Sequence, residues 1–109
     1  MKRPLQAILI AGEDQKNKVL THKKNITIRT GHRDYIPGTV ILCCHILNWA
    51  TMRRITSVRH TQLKDVEQQE LLDDGFTSRD QMLSDLQKYY PDLAWDSDVT
   101  IVRWDDKTD

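Results

Sequence analysis

Apolar and polar residues alternate strictly through residues 25–30, NITIRT, with Ile26 and Ile28 on one side and Thr27 and Arg29 on the other. A period of two over that length marks a half-buried strand. Upstream, the apolar run LQAILIA at 5–11 predicts a first strand or the start of a helix. Residues 13–23 are polar apart from Val19 and Leu20, as in a short helix or turn. Downstream, GHRDYIPG at 31–38 reads as a loop punctuated by Gly31, Pro37 and Gly38. Two strands follow at 39–47 and 52–58, the first apolar enough to be central in a sheet. Residues 64–73, KDVEQQELLD, suit a short acidic helix. Thr77 has Asp80 three residues on, a start like a capping box. Met82, Leu83, Leu86, Tyr89 and Tyr90 then recur at helical spacing until Pro91 stops the helix. A final strand covers 98–104. Strands dominate the first half, helices the second, and a strand returns at the end. This order predicts an α+β fold whose mostly antiparallel sheet curves into a small barrel with flanking helices.

The chain has 109 residues, 39% of them hydrophobic, enough for one core and hence one domain over 1–109. No apolar run approaches the roughly 20 residues of a membrane-spanning helix. The apolar patch after Lys2 and Arg3 is too short for a signal peptide. The expected location is cytoplasmic, away from membranes. Cys43 and Cys44 are adjacent in a strand-like run, point to opposite faces and suit a reducing compartment.

Net charge is zero, but it is not evenly spread: residues 1–60 carry +8 and residues 61–109 carry −8. Such a chain can offer a basic face to an anion, or its halves can attract each other across the fold. Lys23, Lys24, Arg29, His32 and Arg33 flank the strand at 25–30 and would line a cleft at its two ends. A phosphate or a polar base edge suits such a cleft. Arg29, presented from a strand, could make bidentate contacts. Tyr35 could stack on a base or pack down as a loop plug. Arg53 and Arg54 extend the basic surface or form an ordinary charged strand edge. The expected partners are therefore RNA or a modified nucleoside, with a protein partner open to the acidic half. Cys43 and His45, with His22, His32 and His60, lack metal-ligand spacing, so no metal is expected. No glycine-rich nucleotide loop is present, and no cofactor is expected.

KKNITIR, the turn ending YIPGTV, and DDGFTSRDQMLSDLQKYYP before VTIVRW together resemble the ASCH domain, a relative of the PUA RNA-binding fold. The resemblance runs from about residue 13 to 105. Within that family the chain is most similar to small stand-alone N4-acetylcytidine amidohydrolases, which release acetate from an acetylated cytosine. The resemblance implies a catalytic lysine at Lys24, a threonine at Thr27 and an acid at Asp74, where those enzymes carry a glutamate, one methylene longer. Amide hydrolysis needs a nucleophile, a base and an oxyanion stabiliser. A threonine hydroxyl or a water serves as the first, a lysine as the second, and a carboxylate shuttles the proton to the leaving amine. Lys24 and Thr27 are three residues apart, so a continuous strand would put them on opposite faces. The reading requires Lys24 to lie on the loop before the strand and curl back. A module that binds RNA without chemistry, or a protein-binding adaptor, is the alternative.

Overall fold

A computed structural model describes residues 6–44 and 46–105. Five strands form one sheet in the order β1-β3-β4-β5-β2: β1 (Ala7–Leu9), β2 (Ile26–Thr30), β3 (Gly38–Cys44), β4 (Trp49–Gln62) and β5 (Asp98–Asp105). Only β1 against β3 is parallel, and the other three pairings are antiparallel. Among the described residues the helices are α1 (Glu13–Leu20), α2 (Gln68–Asp73) and α3 (Arg79–Gln87), with a 3-10 turn at Leu63–Asp65. The sheet is curled into a half-barrel. A bulge between Ile55 and Ser57 bends the long β4, and bulges increase local twist.

Each face of the sheet buries its own cluster. Ile26, Ile28, Val99 and Ile101 pack with Leu63, Val66 and Leu93, and with Leu71, Met82 and Leu86 of the covering helices. Val40, Leu42, Ile55, Val102 and Trp104 pack with Ile8, Ile10 and Val19. Each fully buried aliphatic side chain contributes roughly 1.5–3 kcal/mol relative to exposure. Truncating Ile101 or Leu71 to alanine is the kind of change that breaks such a cluster.

Several element limits differ from the sequence pattern. The expected strand at 39–47 ends at Cys44, and residues 46–48 form a turn, with Asn48 at φ 54°. The strand expected at 52–58 runs through Trp49–Gln62, because pairing to both neighbours holds its polar residues in the sheet. The acidic segment at 64–73 divides into the 3-10 turn and α2, whose first turn carries a capping box between Glu67 and Glu70. Ser78, not Thr77, caps α3: its Oγ accepts from Gln81 N–H at 3.1 Å. Thr77 instead donates its hydroxyl to Gln81 Oε1. His45, Lys2, Arg3 and the start of the expected first strand lie outside the described residues.

The two halves of the charge split meet within the fold. Lys24–Asp74, Arg54–Asp105 and Arg59–Glu70 each join a cation of the basic half to a carboxylate of the acidic half. Among the described residues no helix is long and apolar enough to cross a membrane, and no group of His, Cys, Asp or Glu is placed to hold a metal ion.

Candidate active site

Two helix endings deliver the two charged groups of the site. After α1, His22 N–H donates to the Val19 carbonyl and Lys23 N–H to the Lys18 carbonyl. This is the Schellman pattern, with His22 at φ 63° in the left-handed position usually held by glycine. Lys24 N–H also donates to the Lys18 carbonyl, so the lysine leaves the helix end before β2 begins. After α2 the same pattern recurs. Gly75, at φ 95°, donates to the Leu72 carbonyl and Phe76 to that of Leu71, which fixes Asp74 and Phe76 on either side of the glycine. A side chain at Gly75 would have to adopt a conformation that L residues rarely take.

β2 supplies the third group. Thr27 pairs with Val102 and Arg29 with Thr100, so both share the face of the second cluster, while Ile26 and Ile28 turn to the helices. Lys24 lies on the turn before the strand, so the three-residue spacing to Thr27 does not separate them. Both are buried, at 7% and 5% exposure. Lys24 Nζ donates to Asp74 Oδ1, and both side chains are buried. The aspartate thus reaches the lysine with its shorter side chain.

Lys24, Thr27, Arg29 and Asp74 line one cavity of about 350 Å³. This size lies within the range of small-molecule sites, roughly 300–1,000 Å³. Phe76, Tyr89 and Tyr90 add aromatic walls, Asp85 and Lys88 polar ones, and Gln15 closes it from α1. Arg29 Nη2 donates to the Leu9 carbonyl and ties edge strand β2 to edge strand β1. Burial pushes the Asp74 carboxyl above the usual carboxylate range. The charge and hydrogen bond of Lys24, the charge of Arg29 and the backbone N–H of Ile28 oppose that rise without cancelling it. A carboxyl in this setting holds a proton more readily than one in water.

Comparison with known proteins comes from structure alone. No family model and no curated protein matches the chain. Among solved structures, an ASCH domain from Lactobacillus crispatus superposes with a TM-score of 0.64 at 11% identity, over 92% of this chain and 77% of that one. A protein from Enterococcus faecalis assigned to the family DUF984 gives 0.66 at 11% identity, over 96% and 82%. The chain has an ASCH-like fold.

Within the ASCH-like half-barrel, the basic residues singled out in the sequence separate. Lys24 and Arg29 line the cavity; Lys23, His32, Arg33, Tyr35, Arg53 and Arg54 are not among its lining residues. His32 bonds the Thr61 carbonyl at 3.2 Å and lies 3.7 Å from Asp98. Arg33 folds back on the Thr30 carbonyl at 2.8 Å. Tyr35 packs against the second cluster. Arg53 shares the inner sheet face with Ile55; it is 7% exposed and donates to Thr51 Oγ1 and to the Met52 and Val19 carbonyls. Alternation along β4 turns it inward, away from a basic strand edge. Arg54 pairs with Asp105. Gln15, Phe76, Asp85, Tyr89 and Tyr90 went unrecognised as site residues. Tyr89 and Tyr90 extend the apolar stripe of α3, and only the exposure of Tyr89, at 63%, separates it from the core.

Proposed function

We propose that this protein hydrolyses the amide of an N4-acylated cytosine nucleoside, N4-acetylcytidine in the first instance. One observation carries the reading: Lys24 and Thr27, at the start of β2, meet Asp74, fifty residues on, at one cavity with aromatic walls. The resemblance of KKNITIR and DDGFTSRDQML to the stand-alone amidohydrolases points the same way. The base stacks against Phe76, Tyr89 or Tyr90, with the acyl carbonyl toward Thr27. A proton passed from Lys24 to Asp74 along their hydrogen bond would free the lysine nitrogen to accept another. Lys24 takes the hydroxyl proton of Thr27 as its Oγ attacks the carbonyl carbon, and the ammonium so formed offsets the charge of the developing oxyanion. The Asp74–Lys24 pair returns a proton to the cytosine amine as the C–N bond breaks. Water then attacks the threonyl ester, acetate leaves, and Thr27 regains its proton.

A free nucleoside suits this cavity better than an RNA strand. Arg33, Arg53 and Arg54, which would follow a phosphate backbone, are engaged elsewhere, and Asp85 stands in the cavity wall. The test is acetate release from N4-acetylcytidine by the wild type beside Lys24→Ala, Thr27→Ala and Asp74→Asn. Turnover by the wild type, reduced on the order of 10³-fold or more in each folded variant, is the expected result. Turnover that survives Thr27→Ala and Lys24→Ala removes these residues from the chemistry. Absence of turnover with salt-sensitive RNA binding would turn the reading into one of recognition alone.

A further inference from the structure

Two residues of the cavity lining each bury a polar atom for which the protein offers no partner. Gln15 Oε1 is buried without a hydrogen bond, and so is Arg29 Nε. Both residues line the cavity. Arg29 Nη2 is committed to the Leu9 carbonyl, so its guanidinium is anchored while the Nε–H stays unused. Buried polar groups in folded proteins are nearly always paired, and one left unpaired costs free energy. Here one unpaired atom accepts and the other donates. Two such atoms of opposite character, on side chains of one cavity wall, suit a ligand edge that carries a donor beside an acceptor once the side chains turn to it.

Resting on the nucleoside reading above, we propose that Gln15 and Arg29 read the base edge and make the site selective for secondary amides. In an N4-acylated cytosine the amide N–H lies next to the unprotonated ring nitrogen, a donor beside an acceptor. Gln15 Oε1 accepts from the amide N–H, and Arg29 Nε–H donates to the ring nitrogen. A tertiary amide has no hydrogen to offer at that position, and neither does an ester on a 4-oxo pyrimidine. Gln15 Oε1 would then face a methyl group or another acceptor, and remain buried and unpaired. Discrimination arises because the site, not only the ligand, is penalised by the mismatch. Gln15 is a specificity-determining residue. Bond breaking stays with Lys24, Thr27 and Asp74.

The test measures binding, not turnover. Calorimetry with the Thr27→Ala protein compares N4-acetylcytidine with its N4-methyl derivative, which lacks the amide N–H. The expected preference for the unmethylated nucleoside is about tenfold or more, the size of one buried hydrogen bond. In the Gln15→Leu/Thr27→Ala protein the preference falls to about twofold or less. Gln15→Glu, with the same length and its acceptor oxygens, restores it. Equal binding of the two ligands with Gln15 intact, or a preference that survives Gln15→Leu, overturns the assignment and leaves the nucleoside reading standing. Failure to bind either ligand overturns both.

Discussion

Among the cation–carboxylate pairs that tie the sheet side of the molecule to α2, Arg59–Glu70 and Lys24–Asp74 hold their protons differently. Arg59 donates from Nε and Nη2 to both oxygens of Glu70, a forked contact, and Glu70 also accepts from its own capping box. Burial opposes ionisation of Glu70, but the Arg59 hydrogen bonds, the Glu67 N–H and the nearby guanidinium charges outweigh it and hold the carboxyl below its usual range. Asp74 meets one lysine, a point charge without the fork, and its side chain is only 5% exposed. There burial wins and the carboxyl stays above its usual range. The first pair fastens; the second is the one on which the proposed chemistry draws. Sequence composition alone treats them alike.

Replacing both members of each pair separates the roles most sharply. Lys24→Met with Asp74→Leu abolishes acetate release yet leaves stability unchanged or raised by about 1 kcal/mol, since an apolar pair needs no desolvation of charge. Glu70→Ala does the reverse. It lowers stability by about 2 kcal/mol in urea unfolding, a value reduced from the fully buried case because Arg59 is partly exposed to solvent. Turnover per folded molecule stays within about threefold of the wild type.

The pairs also differ in the sign of their pH dependence. Glu70 titrates below its ordinary 4.5 in the folded chain, so its contribution is present above that pH and lost as pH falls through the folded value. Asp74 titrates above its ordinary 3.8, so its contribution is present below that pH and lost as pH rises through the folded value. Unfolding free energies of Glu70→Gln and Asp74→Asn, measured against the wild type across the acid range, therefore diverge in opposite directions. A common direction would break the comparison.

The helix endings that deliver the second pair come next in size. Gly75→Ala forces a side chain into the left-handed region and costs about 1 kcal/mol, with a loss of turnover as Asp74 shifts. His22→Gly removes the corresponding strain before Lys24 and raises stability by a few tenths of a kcal/mol to about 1 kcal/mol. Thermal unfolding resolves both. Smallest of all, His32→Ala, outside the cavity, leaves KM for the nucleoside within about twofold at any salt concentration. A salt-dependent KM lowered by His32 would place the basic loop in the site after all.

Much of this arrangement was readable from residue patterns, and the unreadable part has physical causes. Alternation at 25–30 gave β2 and the facing of Ile26 and Ile28, because strand geometry is local. The acidic run at 64–73 gave a helix ending beside Asp74, but the left-handed cap at Gly75 that fixes it went unread. His22 occupies the equivalent place after α1 without a glycine, so the delivery of Lys24 showed only as a spacing difficulty. Gln15 and Asp85 reach the cavity from helices distant in sequence and Tyr89 from the turn after α3, and nothing in a helical stripe says where its end overhangs. Arg53 was legible as charged but not as inward, since that depends on how β4 pairs with β3.

The most direct test of the contrast is a carboxyl-carbon NMR titration of the folded protein with Asp74 and Glu70 assigned. The account predicts a midpoint for Asp74 above 3.8 and one for Glu70 below 4.5. A midpoint for Asp74 below its ordinary value would make Lys24–Asp74 a second structural clamp and remove the proton reservoir on which the proposed chemistry depends.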